Sequence, residues 1–406
     1  MKQAKILILT LIFALITGCS SGGSQRHRPS DRNSTFSYEG NSFAEYINHS
    51  RRLIAETRTD LAPENREERV EGNAPFLLIP GDSCPGGTSS KYRRGILLVH
   101  GLTDSPYDMR ALARFFQGEC FYVQALLLPG HGTRPGDLLE VTGMEWVKAY
   151  SFGVETLKRK AEEVYLGGFS TGGTLAVHHA LKDDEIRGLF LFSPAVEITK
   201  AARWACWLAA VDGIFPIIGW LGPLQPDDDP YKYESFTANA ACQVFRLTKE
   251  IEKSRSQTPL AAPLFVAASA DDATVHTAAT IELFHETTAK LKKMILYARR
   301  GMDEPAGVEL VDSSHPDKRI ASSAHTAIVI PPEDGHYGSA GDYAFCTHYY
   351  QKDDLAYSRC KERREDLLGE ISGEFLRQGV VRRLTYNPGY DDMLKQMRTF
   401  ISTLSR

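Results

Sequence analysis

The 406-residue chain contains no CxxC pair and no His/Cys cluster at zinc-ligand spacing, so neither a zinc ribbon nor a thioredoxin-like redox centre has its ligands. It has no long basic tract. With 51 Asp and Glu against 47 Lys and Arg, the net charge of −4 argues against a broad nucleic-acid footprint, which needs clustered cations. No internal repeat is visible. What is present is 42% hydrophobic and 24% charged residues, enough for a buried core in one large α/β domain or two ordinary ones.

The first residues, "MKQAKILILTLIFALITGCSSGGS", place Lys2 and Lys5 before an apolar stretch at 6–16, then small residues. That is a secretory signal layout, too short for a membrane span. Ile16-Thr17-Gly18-Cys19 resembles a bacterial lipobox, which implies a signal peptide over 1–18 and lipidation of Cys19 as the mature N-terminus. Ser20 stands where an aspartate would direct inner-membrane retention, so the expected address is the cell envelope, at the outer membrane. Residues 19–40, rich in Ser, Gly and Arg, read as a flexible tether, and the folded domain is expected over 41–406. Six of the seven cysteines remain once Cys19 is set aside, an even number in an exported protein. Cys84–Cys120, Cys206–Cys242 and Cys346–Cys360 are the expected bridges: the first joins the starts of neighbouring strands and the other two are local.

Continuous apolar runs occur at 76–80, 95–101, 120–130, 162–169, 188–195, 263–270 and 293–298. They do not alternate with polar residues, which favours strands buried on both faces and hence a parallel sheet. Helical patterns fall between them, at about 105–117, 144–161, 171–182 and 276–289, with others near 43–54 and 391–404. The expected fold class is α/β, a doubly wound, mostly parallel sheet.

Within this pattern "GGFSTGG" is informative by its context. A buried strand runs into Ser170 and a helix begins directly after it. Gly168 and Gly172 let that sharp turn close, and the helix N-terminus favours negative charge beside the hydroxyl. Ser170 therefore reads as a nucleophile. Acyl chemistry also needs two backbone N–H groups aimed at an oxyanion. Thr171 supplies one by following the serine, and Leu102, in "GILLVHGLTDSP", supplies the other. His100 and His131 read as residues that brace their loops.

"HGLTDSP", "LLPGHG" and "GFSTGG", in this order, resemble the α/β-hydrolase superfamily, and within it the bacterial carboxylesterase, monoacylglycerol lipase and lysophospholipase-like branch. The resemblance covers roughly residues 75–300. It implies an α/β-hydrolase fold with a helical cap inserted after the sixth strand, a serine esterase, and no metal or organic cofactor. It also implies the chain order nucleophile, acid, base. Asp271 and Asp272 compete for the acid. The superfamily pattern, a small residue three before and an aliphatic residue three after, is met at Asp272 by Ser269 and Val275. For the base, His325 in "SAHTAIVIPPEDGHYG" occupies the position of "SHT" in related hydrolases, and His336 is the alternative; His315 and His348 rank lower. A long polar insertion before His325 departs from the superfamily pattern.

The cap is expected at about 196–262. Its run 203–223 is strongly apolar, with Trp204, Trp207, Phe215 and Trp220, but Arg203 flanks it and Asp212 and Pro216 interrupt it. It reads as a helical lid lining an acyl pocket, stapled by Cys206 and Cys242. The expected function is hydrolysis of carboxylic esters with an apolar acyl group, on small-molecule or lipid substrates. The alternatives are a thioesterase or amidase on the same residues, or a non-catalytic envelope lipoprotein.

Overall fold

The computed structural model describes residues 24–33, 35–87, 90–198, 202–212, 219–363 and 366–404. The expected signal peptide and Cys19 lie outside them. Eight strands form the main sheet: β1 (Phe76–Leu78), β2 (Tyr92–Val99), β3 (Phe121–Leu126), β4 (Ala161–Phe169), β5 (Gly188–Phe192), β6 (Leu264–Ser269), β7 (Lys292–Ala298) and β8 (Val308–Asp312). Their order is β1-β3-β2-β4-β5-β6-β7-β8. β1 is antiparallel to β3, and every other pairing is parallel. The continuous apolar runs have the cause inferred for them. In β2, Leu97 and Val99 enter the core on one face while Ile96 and Leu98 enter the core on the other. Helices Gly143–Lys158, Thr171–Ala180 and Ala238–Arg255 cover the first face through Trp146, Leu175 and Val244. Helices Arg110–Gly118 and Tyr390–Leu404 cover the second through Phe116, Met397 and Phe400. Truncating one of these fully buried leucines to alanine costs about 2–5 kcal/mol, which is how two apolar layers fix the sheet between them.

Three features differ from expectation. The insert 196–262 follows the fifth strand, β5, and not the sixth: five strands, one for each of the five apolar runs ahead of residue 196, precede it. β8 adds an edge to the sheet inside the polar stretch before His325; it is five residues long and only Val308 is fully buried, so its apolar signal is weak. Within 19–40, the described residues from Ser24 are tied to the domain. Ser30 N–H and Asn33 Nδ2 donate to the Asp137 side chain and carbonyl at 2.5 and 2.9 Å.

The three disulfides pair as expected, Cys84–Cys120, Cys206–Cys242 and Cys346–Cys360. A second, two-stranded parallel sheet, β9 (Leu367–Gly369) with β10 (Val381–Arg383), lies in the C-terminal region. Among the described residues no helix is long and apolar enough to cross a membrane.

Candidate active site

β4 ends at Phe169 and the helix Thr171–Ala180 starts two residues later, which leaves Ser170 alone in the turn at φ 50° and ψ −112°. That left-handed conformation is costly for a residue with a Cβ, so the neighbours must enforce it. They do so by close approach. A Cβ on Gly168 would run into the Gly172 backbone, and one on Gly172 into the Val99 carbonyl. The Ser170 N–H donates to Phe192 O at 2.9 Å, and its carbonyl accepts from Thr174 N and Ala195 N at 3.0 and 3.1 Å.

The hydroxyl meets an imidazole. Ser170 Oγ lies 3.0 Å from His325 Nε2, and His325 Nδ1 lies 2.6 Å from Asp272 Oδ2. Asp272 follows β6, and His325 opens a short 3₁₀ turn, His325–Ala327, thirteen positions after the end of β8. Asp272 Oδ1 accepts from the N–H groups of Thr274 and Val275 at 2.8 and 3.0 Å. Burial alone would raise this carboxyl; His325 and the two N–H groups outweigh it and hold the acid below its ordinary value.

The competing residues stand elsewhere. Asp271 turns to Arg299 Nε at 3.0 Å, and burial pushes its carboxyl up against the pull of that cation. His336 is held between Asp342 Oδ1 at 2.5 Å and Asp229 Oδ1 at 3.2 Å. His315 makes a local backbone bridge with Ile320, and His348 Nε2 pairs with Val381 O. His100 braces its loop as expected: Nδ1 faces Gly101 O at 2.8 Å, and Nε2 accepts from Leu128 N–H at 3.1 Å. Burial pushes His100 down to about 4 and His131 to about 3, so both are neutral.

One pair escaped the sequence reading. Glu370, buried just after β9, accepts the backbone N–H of His325 at 3.0 Å. Arg383, at the end of β10, reaches Glu370 at 2.8 Å and Thr274 Oγ1 at 2.8 Å. This ion pair, with Glu370 buried and Arg383 partly so, therefore ties the loop of Asp272 to the loop of His325. No local pattern signals it, because its two residues lie 45 and 58 positions beyond His325 in a C-terminal stretch without clear periodicity.

Ser170 and His325 open into a cavity of about 490 Å³ whose wall is largely apolar, from Leu102, Ile198, Phe236, Val244, Val275 and Phe345. The N–H groups of Leu102 and Thr171, both lining residues, donate to no backbone acceptor among the described residues. Thr103, at φ 69°, shapes the Leu102 loop, and its carbonyl accepts Tyr233 N–H from the insert at 2.8 Å. Asp104 pairs with Lys232 of the insert, both largely buried.

The parallel sheet, with a serine alone on the turn between a buried strand and a helix, has the architecture of the α/β-hydrolase fold. Known proteins resemble parts of the chain. The serine aminopeptidase S33 family model matches residues 90–220. A thermostable monoacylglycerol lipase of Bacillus sp. (strain H-257) is 29% identical over 172 residues, 42% of this chain and 68% of that protein. A carboxylesterase of Bacillus subtilis (strain 168) is 31% identical over 85 residues, 21% of this chain and 35% of that protein. The crystal structure of a monoacylglycerol lipase from Paleococcus ferrophilus matches with a TM-score of 0.44 at 21% identity, over 55% of this chain and 88% of that one. The chain has an α/β-hydrolase fold, and over part of its length it is similar to lipases and esterases.

Proposed function

We propose that the protein is a serine hydrolase cleaving carboxylic esters with an apolar acyl group. The observation that carries this reading is the chain of short contacts from Ser170 through His325 to Asp272, 3.0 and 2.6 Å, at the wall of an apolar cavity. Ser170 Oγ attacks the ester carbonyl carbon while its proton passes to His325 Nε2. The carbonyl electron pair moves to oxygen, where the Leu102 and Thr171 N–H groups stabilise it. Collapse breaks the bond to the leaving alkoxide, which takes the proton from His325 and departs as the alcohol. The acyl group stays on Ser170. Water then repeats the sequence: His325 takes its proton, hydroxide attacks the acyl carbon, and Ser170 recovers its proton as the acid leaves. Asp272 holds His325 with Nδ1 protonated and stabilises the imidazolium of each step.

Labelling by a fluorophosphonate probe tests the enzyme reading. Folded protein should label at Ser170, and failure to label would favour a non-catalytic envelope protein. A panel of p-nitrophenyl esters of graded chain length, beside a lysophospholipid and a monoacylglycerol, would define the acyl preference. The proposed address is the bacterial envelope, with Cys19 lipidated and the domain held at the outer membrane. Several acyl chains anchor a protein where one does so only marginally. A palmitate analogue should label the wild type and not Cys19→Ser; label retained in the variant would overturn the anchor.

A further inference from the structure

The N-terminal strap is fastened to the insert over the cavity. Arg26 Nη1 donates to the carbonyls of Pro226 and Asp227 at 2.8 and 2.7 Å, and His27 Nε2 lies 2.9 Å from Asp227 Oδ2. The His27 ring meets the edge of Trp220 at 5.4 Å. Asp227 in turn accepts the N–H groups of Glu234 and Ser235 at 2.7 and 2.8 Å, directly after Lys232 and Tyr233, which line the cavity. The strap thus bears on the element that shapes the pocket.

The same insert carries an apolar surface in water. Trp204 and Trp207, one turn apart on helix Ala202–Asp212, are 70% and 61% exposed. Leu221 of the same insert is 37% exposed and lines the cavity. The bridge Cys206–Cys242 fixes the tryptophan helix to helix Ala238–Arg255, whose Ala241 and Val244 form cavity wall. Indole rings, apolar with one N–H, concentrate at membrane–water interfaces. The length of chain to the proposed anchor selects that occupant. Arg26 is seven residues from Cys19, and seven residues at full extension span at most about 25 Å. Acyl chains buried at Cys19 therefore keep the Arg26–Asp227 contact, and the insert with it, close to the bilayer.

We propose that the strap fastens the lid to the membrane, so that Trp204 and Trp207 rest on phospholipid and the cavity receives ester substrate from that bilayer. This rests on the lipid-anchor reading above. The full acylated chain is placed in vesicles of phosphatidylethanolamine and phosphatidylglycerol. Turnover is read on a long-chain ester in the bilayer and on p-nitrophenyl butyrate in solution. Trp204→Ser with Trp207→Ser, and separately Arg26→Ala with His27→Ala, should lower turnover of the embedded ester by about tenfold or more. Hydrolysis of the butyrate should stay within about twofold of wild type. Brominated lipid should quench wild-type tryptophan emission, and less so in either variant. Cys19 acylation is read on the same preparations. Absence of label overturns the anchor and this proposal together. Label with undiminished turnover of the embedded ester in both variants, or without quenching in the wild type, overturns this proposal alone.

Discussion

Ser170, Asp272 and His325 reach one another from the ends of β4 and β6 and from the loop beyond β8. Ser170→Ala should abolish ester hydrolysis, a loss of about 10⁶ in rate, while thermal unfolding stays unchanged. A variant keeping a tenth of wild-type turnover would remove Ser170 from the chemistry. His325→Ala should be nearly as inactive. His336→Ala and Asp271→Asn should keep substantial activity, since His336 faces Asp229 and Asp342 while Asp271 faces Arg299. Steady-state rates of the four variants on one soluble ester decide among them. Ser170 was legible because a short motif stood between a strand and a helix, and Asp272 because its flanking residues distinguish it from Asp271. His325 was legible through likeness to related hydrolases, since the insertion before it hides the spacing.

At the scale of elements, the parallel core was readable because burial on both faces leaves an unbroken apolar run. β8, β9 and β10 were not: they are three to five residues long and half-buried, and their neighbours determine that they form. Glu370 and Arg383 come from this unreadable part, and their effect on the site is a matter of positioning. Glu370→Ala removes the acceptor of the His325 N–H and leaves the partly buried Arg383 without its carboxylate. We expect kcat to fall by about ten- to a hundredfold with KM nearly unchanged, because the relay is misaligned while the apolar pocket persists. Glu370→Gln, which retains an acceptor oxygen, should recover part of that loss. Equal losses in the two variants, or a rise in KM alone, would assign the residue to packing or to binding.

Over the whole molecule, the insert and the C-terminal region hold each other through His336 and Asp229, with Tyr337 donating to Asp229 and Tyr343 to Glu234. Burial alone would lower His336, but Asp229 and Asp342 outweigh it and raise it above its usual 6.5. A group raised on folding contributes stability that is fully present below 6.5 and lost as pH climbs through its folded value. The melting temperature of wild type should therefore exceed that of His336→Gln at mildly acid pH, and the gap should close as pH rises. A gap that widens with pH would reverse the assignment. The bridges carry a different consequence. Each joins a cysteine to the very next one in the chain: 84 to 120, 206 to 242, 346 to 360. A polypeptide threaded N-terminus first into an oxidising compartment presents its thiols in bonded order. If the chain is exported and Cys19 lipidated as proposed, an oxidant acting on the thiols as they emerge would close each bridge before the next one arrives, and maturation would call for a dithiol oxidase and no isomerase.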